Sequence, residues 1–157
     1  MEASAKLSRK LTRNEFAAMA GGVLVGIGVF LNWYETNAGN RAANVNGMKG
    51  AFSAWDVHPI LRWLLLAAAV APFILAYIIV RGHQLSWARG EMTAVTAIAA
   101  FGLIVYNGVI GRPGEPSSEI SLQPGWWVAL LGTLLMLGGA ALRSSEVERT
   151  RKPPGVI

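Results

Sequence analysis

The sequence contains no cysteine, which excludes disulfides, thiolate metal sites, iron-sulfur clusters and a cysteine nucleophile together. Charge is scarce too: 15% of the 157 residues are Asp, Glu, Lys or Arg, against about 25% in ordinary soluble domains. With 53% hydrophobic residues and a mean hydropathy of +0.41, the composition argues against a soluble globular enzyme. Histidine is nearly missing. His58 and His83 stand alone, on opposite sides of an uncharged apolar run, so they cannot share a metal or a haem iron.

What the chain has in abundance is apolar sequence, gathered into four runs at about 16–33, 63–80, 92–110 and 126–142, none containing an Asp, Glu, Lys or Arg. Each approaches the roughly 20 residues that cross hydrocarbon as a helix. The runs lack the period-2 alternation of barrel strands, and backbone groups in lipid must bond within their own segment, so helices are expected. The predicted fold is an all-α membrane protein of four antiparallel transmembrane helices. One transmembrane domain, 16–142, lies between a basic tail, 1–15, and a second tail, 143–157. Thr12-Arg13-Asn14-Glu15 reads as a capping box for the first helix, and Pro72 predicts a kink in the second.

The formal charge of +5 and a pI near 10.1 come from bases that flank apolar runs, which indicates topology rather than a nucleic-acid surface. Placing the N-terminus inside puts Lys6, Arg9, Lys10, Arg13, Arg81, Arg89, Arg143, Arg149, Arg151 and Lys152 on the cytoplasmic side. Only Arg41, Lys49, Arg62 and Arg112 are then outside. The positive-inside rule therefore predicts that both termini are cytoplasmic, in a bacterial cell membrane. Trp33, Trp55, Trp63, Trp126 and Trp127 fall near the outer ends of the runs and Trp87 at an inner one, as in an aromatic belt. A cleaved signal peptide is the competing reading of Lys6 to Leu31, but no A-x-A site follows Trp33.

Between the runs, Leu7 and Leu11 with Lys6, Arg9, Lys10 and Arg13 suggest topological ballast or a short basic helix on the inner leaflet. Arg143 to Ile157 should fray and then become disordered at Pro153-Pro154-Gly155. In the outer loop, 34–58, Asn37-Ala38-Gly39-Asn40 and Asn44-Val45-Asn46-Gly47 predict turns. Met48, Phe52 and Trp55, spaced by four and three, predict a short helix with one apolar face, lying in the interface or capping the helices. The segment from Gly111 to Glu119 reads as a connector, and the tight inner loop from Arg81 to Glu91 makes the second and third helices antiparallel neighbours.

No catalytic, metal or cofactor-binding set emerges. Ser53, Asp56 and His58 are close in sequence, but nothing supplies a nucleophile elbow or oxyanion donors, and Asp56 reads as a cap for the second helix. Transport chemistry lacks an ionisable group inside a run. Small multidrug transporters carry a membrane-embedded Glu in helix one, whereas Glu15 lies at the edge of the run. Thr93, Thr96 and Asn107, the polar residues of the third run, are expected to bond a neighbouring helix or their own backbone. Ala18, Gly22 and Gly26 recur every four residues and form a helix-packing or partner face, with Gly132, Gly138 and Gly139 as similar gaps in the fourth run.

Leu31-Asn32-Trp33-Tyr34 closes the first run, Gly50-Ala51-Phe52-Ser53-Ala54-Trp55-Asp56 precedes the second, Gly111-Arg112-Pro113-Gly114 follows the third, and Gly125-Trp126-Trp127 opens the fourth. This order resembles that of small four-helix integral membrane proteins of unknown function found in actinobacteria, a group with no activity to carry over. The larger first outer loop is similar to that of claudin-like proteins, but their cysteine pair is absent. The expected function is a non-enzymatic accessory or scaffold subunit of a cell-envelope or respiratory complex. It would meet a membrane-protein partner or a second copy through Ala18, Gly22 and Gly26. The alternative is a module binding a lipid, quinone or isoprenoid-linked glycan among Trp33, Met48, Phe52, Trp55, Trp126 and Trp127; a small transporter or channel comes third.

Overall fold

The computed structural model describes residues 11–83 and 90–150. In chain order the elements are α1 (Arg13–Phe30), β1 (Asn32–Thr36), β2 (Ala51–Ser53), α2 (Ala54–Val57), α3 (Leu61–Arg81), α4 (Glu91–Val105), a π-helical turn (Tyr106–Ile110), a 3-10 turn (Ser117–Glu119), β3 (Ile120–Leu122) and α5 (Pro124–Thr150). Three stretches, Leu61–Arg81, Glu91–Ile110 and Pro124–Arg143, are long and apolar enough to cross a membrane. α1 opens on Arg13, Asn14 and Glu15, a polar first turn that dilutes its apolar content. The basic-tail residues 1–10, Trp87 and the proline-rich end at 151–157 lie outside the described residues.

α1 and α5 form the most extensive contact, and glycines make it possible. A Cβ added at Gly21 would stand 2.5 Å from the Gly132 carbonyl, one at Gly28 would stand 2.8 Å from the Ala129 backbone, and one at Gly139 would meet the Asn14 carbonyl and Ala18. The two helices therefore run antiparallel with their backbones in near contact, as small residues permit. Val25 and Val29 are buried on α1, with Ala129, Met136 and Ala140 on α5. α1 also packs on α3, where Gly22 sits under the Ala69 carbonyl and Pro72.

The all-α expectation fails at one end. There β1 is the middle of a three-stranded antiparallel sheet of order β2-β1-β3, with Tyr34 opposite both Phe52 and Leu122. The helix expected across Met48, Phe52 and Trp55 does not form: Met48 is exposed and bridges to Val45 across a turn, Phe52 is in β2, and only Trp55 is helical, in the four-residue α2. Gly50, with a positive φ, interrupts any helix between Met48 and Phe52. The expected Asn-rich turns do form: Asn37, Asn40 and Asn44 each accept a backbone N–H two or three residues on. The segment after Gly111, expected to be a plain connector, supplies β3, and its Glu115 exchanges backbone hydrogen bonds with Asn44 of the other loop.

Asp56 is a cap, but for a different helix than expected. Its Oδ2 accepts from the Ser53 N–H at 3.0 Å and hydroxyl at 2.6 Å, closing a box around α2, and these bonds hold its carboxyl below the usual range. The start of α3 has no side-chain cap. At the far end of the molecule, the expected box at Thr12 is present: Glu15 accepts from the Thr12 N–H. Glu15 is also buried and pairs with Arg143 of α5 at 3.2 Å, an ion pair that joins the ends of the first and fourth apolar runs.

Candidate functional site

The aromatic residues expected to form one outer site divide between the interior and the surface. Trp33 is wholly buried, and its indole N–H donates to the Gly28 carbonyl at 2.7 Å. Trp126 is buried as well and donates to the Ile104 carbonyl at 2.9 Å, while its ring lies where a side chain at Gly108 would be. Burial with the N–H satisfied is a core arrangement, so Trp33 and Trp126, with the buried Phe52, are placed in the interior. Trp127 is exposed and edge-on to Trp126, at 4.6 Å. Trp55 stacks on Phe30 at 5.1 Å and meets Trp63 edge-on at 5.3 Å.

Ala18 and Gly22 face neighbouring helices of their own chain rather than an empty surface. Gly26 is looser, its nearest added-Cβ neighbour being Ala69 at 4.0 Å. Gly21 and Gly28, which the every-fourth-residue stripe omits, make closer approaches than Gly26. Their signal was the Gly21-Gly22 pair and the seven-residue return to Gly28, about two helical turns. Gly138 meets nothing within 4 Å.

The polar cluster that does assemble at the sheet end was not foreseen as one. The Tyr34 hydroxyl lies 2.8 Å from His58 Nε2 and 3.1 Å from the Asn107 carbonyl. β1 delivers Tyr34, the link between α2 and α3 delivers His58, and the π-helical turn delivers Asn107. That turn is closed by the Gly111 N–H on the Tyr106 carbonyl at 2.7 Å. The wider coil turns the Asn107 carbonyl toward Tyr34, and the Asn107 amide donates back to the Leu103 carbonyl at 2.8 Å. Arg112 braces the same turn, donating to the Gly108 and Ile120 carbonyls. π-turns inside helices occur often at functional sites.

Burial disfavours the ionised form of both titrating members, and for Tyr34 it outweighs the opposing pull of the Arg112 charge. The Tyr34 phenol is pushed above its ordinary range, and the His58 imidazole is pushed below its own. The cluster is therefore a neutral hydrogen-bonding relay at pH 7. Since a carbonyl can only accept, the Tyr34 proton bridges either to Asn107 or to His58 Nε2, and the choice fixes whether His58 Nδ1 accepts or donates.

Beside this relay runs a groove of about 290 Å³ lined by His58, Pro59, Ile60, Leu61, Leu64, Leu103 and Asn107. Its walls are aliphatic and its polar groups come from one end. Thr96, the other polar residue of this helix outside the core, donates to its own Met92 carbonyl at 2.7 Å, as expected. Among the described residues no group of three or more His, Asp or Glu is placed to hold a metal. No protein-family model, curated protein or solved structure matches the chain.

Proposed function

We propose that the chain is an integral protein of the bacterial cell membrane. It crosses four times with both termini cytoplasmic and acts without catalysis, holding an amphipathic molecule at its outer face. Three helices already meet the length and apolarity that a bilayer requires. α1, at 18 residues, reaches about 27 Å, close to the roughly 30 Å hydrocarbon core. The division of Lys and Arg across the loops favours the sheet end as the outer one.

The observation that carries the reading is the groove between α3 and α4, with aliphatic walls and His58 and Asn107 at one end, both held by the buried Tyr34 hydroxyl. A lipid, a quinone or an isoprenoid-linked glycan matches that division, an apolar body with one hydrogen-bonding end. Purification in mild detergent followed by native mass spectrometry should find one enriched amphiphile, and Leu103→Trp, which fills the groove, should cut its retention by about tenfold. Equal retention in both proteins would overturn the reading.

A second reading, the accessory or scaffold subunit, draws support from α4 rather than from α1. Only 28% of the apolar stretch Glu91–Ile110 is buried within the chain, against 44% for Pro124–Arg143, which leaves room for a partner helix. A stoichiometric membrane protein in the same purification, lost on α4 substitution, would favour it.

A further inference from the structure

On a different side of α3 from the groove, Arg62 packs on two indole rings. Its guanidinium carbon lies 4.6 Å from the centre of the Trp55 ring and 5.8 Å from that of Trp63, and Nη1 donates to the Trp55 carbonyl at 3.0 Å. Its Nε is buried and has no hydrogen-bond partner. No carboxylate pairs with it: Arg143 with Glu15 is the ion pair seen among the described residues, and Asp56 is turned to Ser53. The other described bases at this end differ. Arg112 is held by two carbonyls, Lys49 is exposed and reaches the Asn40 carbonyl, and Arg41 is exposed in a turn.

A partly desolvated cation with no counter-charge is costly unless an anion reaches it. Around Arg62 the surface tells what kind of anion: Phe30 and Trp63 are 57% and 58% exposed and stand as an apolar shelf on either side of Trp55. Indole rings sit at the headgroup level of a bilayer, where the prevalent anion is a phosphodiester, and with Nε buried and Nη1 on the Trp55 carbonyl it is the Nη2 end of the guanidinium that is left to donate a charge-assisted bond to a phosphate oxygen. Stacking on the indoles fixes the direction of that end in advance.

We propose that Arg62, packed over the adjoining rings of Trp55 and Trp63, is a binding site for the phosphate of an outer-leaflet glycerophospholipid, whose acyl chain lies along Phe30 and Trp63. The site rests on the membrane assignment above but not on the groove. Trp63 and Leu64 are about 100° apart around α3, so the two sites lie on different sides of one helix.

The test compares phosphatidylglycerol with diacylglycerol of the same chains, added to the detergent-solubilised full chain and read by native mass spectrometry. The wild type should retain phosphatidylglycerol about tenfold better than diacylglycerol. Arg62→Gln should bring the two near parity, Arg62→Lys should fall between, and Leu103→Trp should leave this preference unchanged while emptying the groove. Equal retention of both lipids by the wild type overturns the proposal, and that comparison needs no variant to fold. Undiminished preference in a folded Arg62→Gln protein also overturns it. Inorganic phosphate should leave the lipid adduct in place; its displacement by phosphate alone would make the site one for a soluble anion and defeat the lipid assignment.

Discussion

The seam between α1 and α5 and the seam between α3 and α4 are built on opposite principles. In the first, glycines on both helices bring backbone against backbone, and a buried Glu15 with Arg143 closes the end away from the sheet. In the second, Leu61, Leu64 and Leu103 hold the helices apart and leave a groove. Close backbone approach gives dense packing with little capacity to adjust, because no side chain stands between the helices to change rotamer. Branched side chains around a gap can repack. The first seam thus carries the fold, and the second is the side on which another molecule can enter.

Breaking the tight seam should give the largest effects. Glu15→Ala removes both the helix cap at Thr12 and the carboxylate that meets Arg143 and should cost about 3 kcal/mol, read as a lower unfolding midpoint in detergent. Gly28→Leu forces a side chain into the Ala129 backbone and should cost about 3 kcal/mol, whereas Gly138→Leu, on the same seam helix but in open space, should stay within about 0.5 kcal/mol. The GxxxG pair sharpens the contrast within one motif. Gly22→Leu, whose Cβ would run into the Ala69 carbonyl, should cost about 1–3 kcal/mol, and Gly26→Leu much less. Similar losses at both positions would mean that a surface outside this chain covers Gly26.

The smallest effect belongs to the open side and is a matter of pH. Because His58 has a lowered pKa when folded, the unfolded chain binds the extra proton first. Its contribution to stability is therefore complete above the unfolded value of about 6.5 and is lost as the pH falls through the lowered folded value. His58→Gln should flatten the unfolding midpoint over that interval. An unchanged slope would mean that another group titrates there.

The sequence disclosed the helices because long uncharged runs leave a bilayer protein few alternatives, and it disclosed the Asn turns because their side chains bond locally. It concealed the sheet. β2 and β3 are three residues each, too short for alternation to register, and the spacing of Met48, Phe52 and Trp55 matched a helix by coincidence. The Asn107-Gly108 pair was the one local hint of a broken coil near the end of α4. Nothing local could bring that carbonyl to Tyr34, 73 residues away, or join Glu15 to Arg143 across the chain. Trp33 and Trp126 misled for a related reason: an indole at the end of an apolar run suits a lipid interface and an interior equally well, and only the carbonyl it meets separates the two.

The middle position of β1 has a consequence for how the protein is made. β1 can pair with β2 soon after both are synthesised, but its other edge must wait for β3, and Ser121 bonds the Glu35 carbonyl across 86 residues of chain. Through most of synthesis that edge is open, exposed to wrong pairing as any bare strand is. The last strand arrives immediately before α5, and the Gln123 N–H then joins the Trp33 carbonyl. Completion of the sheet and docking of the final helix against the first are thus one event, so a ribosome-stalled chain ending before Ile120 should be the form that quality-control proteases recognise.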